Sequence, residues 1–118
     1  MAESDIERLR GGSLAASEEA AMMYPDDPRV HYILAHKLVA AQRFDEALEA
    51  TADALERLDT VAELFASGSL EGSIRQLRVL SAEAGGVPGV IRTEAQELCE
   101  QLRSTDAGAW ALERGLCE

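Results

Sequence analysis

The sequence predicts an all-α fold, and three observations carry that prediction. Helical periodicity recurs in the segments between breakers. There is no sustained alternation of β-branched residues and no Asn-Gly or Asp-Gly hairpin turn. Aromatics make up only 4% of a chain that is 47% apolar, so the core must come mainly from Leu, Ile, Val and Ala. That composition favours packed helices over a β-sandwich. The 118 residues suffice for one domain and are too few for two of ordinary size.

Breakers divide the chain at Gly11-Gly12, at the Tyr24–Pro28 turn, at Gly68, across Gly85–Gly89 and at Gly108. They predict helices at about 3–10, 14–23, 28–41, 44–57, 59–66, 70–84, 88–103 and 106–117. Ser13 and Ser69 are placed to accept from free backbone N–H groups at helix starts. Pro25 and Pro28 punctuate the entry to the third helix, and Asp45, Glu46 and Glu71 put negative charge at the positive ends of theirs. Pro88 stands near the first turn of its helix. That helix carries Val87, Ile91, Leu98 and Leu102 on one stripe, with Ala95 and Cys99 beside it. The last helix follows an N-cap at Thr105 or Asp106 and brings Trp110, Leu112 and Leu116.

Three helix starts look alike: Gly12–Ser17, Gln42–Ala47 and Gly68–Ser73. Each has a turn residue, a polar residue, a large apolar residue, two variable positions and a small residue. The large residues Leu14, Phe44 and Leu70 anchor the turn, and small residues such as Ala47 and Ser73 let another helix come close. Such internal similarity predicts stacked hairpins at about 3–24, 28–57 and 59–84, closed by capping helices at about 88–117. Phe44, Ala47, Ala54, Leu34 and Leu38 should then form one core between the helices at 28–41 and 44–57.

The unit at 25–58 resembles a tetratricopeptide repeat. Leu34, Ala35 and Leu38 match the family's packing positions on the first helix. Phe44, Ala47, Leu48, Ala54 and Leu55 match those on the second. Thr51 departs from the usual large aromatic, and Asp59 from the usual closing proline. The resemblance implies a short right-handed α-solenoid of about three hairpins. It also implies a concave groove lined by first helices, here Arg29, Tyr32, His36 and Val39, then Leu58, Ala62 and Phe65. Ile6 and Leu9 would come from the first hairpin. The carboxylate clamp of chaperone-tail-binding members is not assembled, because the matching region offers Tyr32, Ile33 and His36, with Lys37 alone nearby. The segments 43–48 and 65–102 also look like small chaperones of type III secretion needle subunits. Those chaperones pair with a small co-chaperone and hold an amphipathic helix in an apolar groove. The segment beyond Arg103 has no counterpart in them.

Several function classes are disfavoured. The net charge is −11 and Lys37 is the only lysine, so nucleic acid is not an expected partner. His31 and His36 lie about 140° apart around a helix and cannot share a metal. The Gly85–Val90 stretch lacks the spacing and preceding strand of a phosphate loop. Nothing pairs a nucleophile with a base, so no enzyme and no cofactor are expected. The two cysteines are too sparse for a disulfide framework and match no zinc spacing, which suits a reduced compartment. The charged start has no secretory core, and no apolar run reaches membrane-spanning length, so the expected compartment is the cytoplasm. The functional expectation is a chaperone or adaptor that binds an amphipathic helix or apolar peptide. The alternative is a structural scaffold of hairpins that forms homo-oligomers.

Overall fold

The computed structural model describes residues 3–60 and 69–117. Among these the structure is all-helical: α1 (Glu3–Arg10), α2 (Leu14–Met23), α3 (Pro28–Ala40), α4 (Phe44–Thr60), α5 (Ser69–Gly85), α6 (Pro88–Glu100) and α7 (Asp106–Glu113). The expected helix at 59–66 lies largely outside the described residues. Its first two positions belong to α4, which runs on to Thr60 because no proline stands at 59 to stop it.

Local chemistry sets the ends. Ser13 Oγ accepts from Ala16 N–H at 3.1 Å, and Asp27 Oδ1 from Arg29 N–H at 3.0 Å. Of the two candidates before α7, Thr105 is the cap, its Oγ1 accepting from Gly108 N–H at 3.2 Å. Three helices stop in the same six-residue motif. Arg43 N–H reaches Leu38 O after α3, Val87 N–H reaches Ala82 O after α5, and Leu116 N–H reaches Ala111 O after α7. The motif needs a left-handed residue. Gly86 and Gly115 supply it with φ of 73° and 77°, but α3 uses Gln42 at φ 60°. A Cβ is strained there, so Gln42→Gly should stabilise the protein by about 1 kcal/mol in chemical denaturation.

Each helix from α2 onward packs on the next, and a second set of contacts joins α1 to α3, α3 to α5 and α5 to α7. Ala47 is fully buried, as the expected register requires, in a cluster with Ala35, Leu38, Ala50 and Leu77 of α5, and Leu34 packs on its edge. The expected single core is divided, however. Ala54 lies two turns beyond Ala47 and packs with Leu58 and Ile74 in a separate cluster, where α4 meets α5. Phe44 sits half-buried at the rim, its Cβ close against Gly85.

A polar seam crosses α4, α5 and α6. Glu94, 4% exposed, accepts from Arg75 Nη1 at 2.7 Å and from Arg78 Nε at 3.0 Å. Arg78 Nη1 continues to Leu48 O and to Thr51 Oγ1, at 2.9 and 3.0 Å. This accounts for the threonine at 51: an aromatic would fill the space that the guanidinium takes, and would offer it no acceptor.

At the C-terminal end, Val79, Leu98, Leu102, Ala107 and Ala111 form an apolar cluster, with Trp110 and Leu116 packed against it. Cys99 and Cys117 are joined by a disulfide, with Cα atoms 5.6 Å apart. The two cysteines, too sparse for a framework, thus pair in a single bond: the turn at Gly115 swings Cys117 back onto α6. Such bonds persist in oxidising compartments and are rare in the cytosol, which weighs against the reduced compartment.

Candidate functional site

Of the residues expected to line a groove, the structure brings together Tyr32 and His36 as an accessible pair on α3. They are one turn apart, with rings edge-on at 4.7 Å between centroids. His36 Nε2 lies 2.9 Å from the Tyr32 hydroxyl. The Ser73 hydroxyl of α5 also bonds to the phenol, and Arg10 of α1 contributes positive charge nearby. Lys37 Nζ donates to Arg10 O at 2.6 Å and ties α3 to the end of α1. The patch thus lies where α1, α3 and α5 adjoin.

Burial raises the Tyr32 phenol above its ordinary pKa, opposed by the Ser73 hydrogen bond and by Arg10. Burial lowers the His36 imidazole first, and Arg10 and Lys37 lower it further. His36 is therefore neutral at pH 7. The folded state holds fewer protons here than the unfolded chain. This contribution to stability is complete above the unfolded value, about 6.5, and is lost as pH falls toward the folded one. An NMR titration of the imidazole protons should show His36 with a midpoint below that of free histidine, and Tyr32→Ala should move it upward by opening the site to water.

The other expected residues are engaged elsewhere. Arg29 places its guanidinium on Asp27, with Nε–Oδ1 and Nη2–Oδ2 at 3.0 and 2.8 Å. Burial would raise the Asp27 carboxyl, but the hydrogen bonds from the Arg29 side chain and backbone outweigh it and hold the carboxyl below its usual range. Val39 is half-buried against the Ala35–Leu38 cluster. Leu58 does not line an open groove: it is 5% exposed, one turn past Ala54 on the inner face of the lengthened α4. Ala62 and Phe65 lie outside the described residues. Ile6 and Leu9 pack inward with Ala20, Val30 and Ile33. His31 is structural, its Nε2–H donating to Pro25 O at 2.7 Å beside Arg57 Nε–H at 3.0 Å. Among the described residues the face carries an aromatic and polar pair, Tyr32 and His36.

A second concavity was not anticipated. It runs along α6 under the C-terminal segment, with a volume of about 660 Å³. Ile91, Ala95, Leu116 and the disulfide line it, and Arg92 and Arg103 border it. The stripe of Ile91, Ala95 and Cys99 is visible in the sequence; the return of residues 115–117 onto it is not. No helix among the described residues is long and apolar enough to cross a membrane.

The chain matches no family model, no curated protein and no solved structure.

Proposed function

We propose that the chain is a non-enzymatic interaction module: a short right-handed solenoid of about three tetratricopeptide-like hairpins that acts as a chaperone or adaptor. Its ligand is an amphipathic helix or an apolar peptide, held on the face where α1, α3 and α5 adjoin. The observation that carries this reading is the Tyr32–His36 pair. It is a partly exposed aromatic couple with hydrogen-bonding capacity, on the helix that the repeat pattern assigns to the concave side. The contacts of α1 with α3, α3 with α5 and α5 with α7 support the stacking, as does the full burial of Ala35, Ala47 and Ala54. Helix-in-groove recognition needs few such anchors. The finer reading, a type III secretion needle-subunit chaperone with a small co-chaperone, rests on the segments 43–48 and 65–102, and the disulfide weighs against it.

Tyr32→Ala tests the reading. It should weaken partner binding by about 2 kcal/mol, the scale of an aromatic anchor, with helicity by circular dichroism unchanged. Undiminished binding alongside a sharp loss of thermal stability would make Tyr32 a core residue and sink the proposal.

A second reading, a self-associating scaffold, is favoured by one observation. Met22, Met23 and Tyr24 at the end of α2 are 83%, 63% and 42% exposed, a contiguous apolar patch of the kind that marks an interface.

A further inference from the structure

After α7 the chain forms a short strap. Gly115, at φ 77°, turns it back, and Leu116 and Cys117 come to line the concavity along α6. Few non-covalent contacts hold the strap. The N–H groups of Arg114, Gly115 and Leu116 donate to Trp110 O, Leu112 O and Ala111 O at 3.1, 3.1 and 3.0 Å. Arg114 also donates to both Glu83 oxygens of α5, but these side chains are 40% and 35% exposed, so water screens the pair. The covalent clasp is the Cys99–Cys117 bond, which joins residues 18 apart in the chain.

That bond carries little of the core. Ala107 and Ala111 seat α7 without it, at 5% and 0% exposure, and Ala107 approaches α5 so closely that a Cβ at Gly72 would stand 3.0 Å from its own. Val79, Leu98 and Leu102 complete the same cluster. Nor is the bond sealed. Both cysteines are half-buried, and both line the concavity of about 660 Å³. Arg92, Glu100 and Arg103 put charge of both signs along its wall, so access rather than attraction decides what reaches the sulfurs.

We propose that Cys99–Cys117 is a reducible latch: a dithiol reductant entering the concavity opens it, and the strap leaves α6 while α1 to α7 stay folded. A thiolate of the dithiol attacks one sulfur and forms a mixed disulfide, and the other cysteine departs as a thiolate that takes up a proton. The dithiol's second thiolate then displaces the remaining cysteine. The protein gains two electrons and two protons, and the dithiol becomes a disulfide. Release of Leu116 uncovers Ile91 and Ala95, so the apolar surface of α6 follows the redox state. The Tyr32 face lies on other helices, and failure of the latch would leave it untouched.

The folded chain, first oxidised with glutathione disulfide, is treated with dithiothreitol without denaturant. Thiols are counted, and hydrogen exchange is followed by mass spectrometry. The bond should open in the folded protein at a rate within about tenfold of that in the urea-unfolded chain. Amides 114–116 should lose about tenfold or more in protection while those of α3 to α5 keep theirs. Glutathione disulfide should restore the protection. Cys99→Ser/Cys117→Ser should show the low protection at 114–116 with and without dithiothreitol. A bond that opens only when the chain unfolds would overturn the proposal. So would unchanged protection at 114–116 after reduction, protection lost throughout the chain, or thiols that glutathione disulfide never pairs.

Discussion

Replacing Glu94 with alanine should destabilise the protein by about 3–5 kcal/mol, the cost of removing one partner from a buried ion pair. Glu94 is 4% exposed and is the shared acceptor of Arg75 and Arg78, whose side chains are only 19% and 15% exposed. Burial disfavours the Arg75 cation, and the Glu94 and Glu71 carboxylates more than offset this, keeping it charged. Without Glu94, Arg78 retains only the neutral acceptors Leu48 O and Thr51 Oγ1. The seam joining α4, α5 and α6 would then hold the Arg78 charge without compensation, while Arg75 keeps only Glu71. Glu94→Gln keeps an acceptor but loses the charge, so it should fall between wild type and alanine. Removal of the exposed Glu46, paired with Arg43, should cost little, since water screens that pair. Urea denaturation separates these cases. A loss below about 1 kcal/mol for Glu94→Ala would mean that the seam is solvated.

Gly108→Ala should be comparably severe, at about 3 kcal/mol or more, because the added atom meets backbone. A Cβ at 108 would stand 2.2 Å from Leu102 O and 2.8 Å from Arg103 Cα. No side chain can rotate away to relieve this, so α7 must lift from the α6–α7 turn. Val79, Leu98 and Leu102 would lose their cover. Gly89→Ala is the control: it too is a glycine inside a helix, but its Cβ meets nothing within 4 Å. That change should be neutral or mildly stabilising. Trp110, which packs on the same cluster, reports the displacement by fluorescence. Equal effects at 89 and 108 would contradict the packing of α7.

The helices were legible because their boundaries are local chemistry. Ser13, Thr105, Pro28 and Pro88 act within one turn of where they stand, and Ala47 is buried as its spacing requires. Legibility ends where a residue's role depends on a distant partner. Gly108 reads as a breaker but sits inside α7, selected by the approach of Leu102 and Arg103. Thr51 is visible as a departure from the repeat pattern, yet its reason is Arg78, from the next helix. Cys99 and Cys117 pair only because Gly115 reverses the chain. In the candidate site, Tyr32 and His36 follow from i, i+4 spacing, while Arg29 is diverted by Asp27 and Leu58 by the extra turn of α4.

The central claim is that a protein partner binds the face carrying Tyr32 and His36. A photo-reactive side chain in place of His36, introduced in the native host, tests it most directly, with the same group at exposed Thr93 on α6 as the comparison. The account predicts one protein partner cross-linked from position 36, absent from position 93, and lost when Tyr32→Ala is added. The same proteins captured from both positions, or cross-linking from 36 that Tyr32→Ala leaves unchanged, would contradict it.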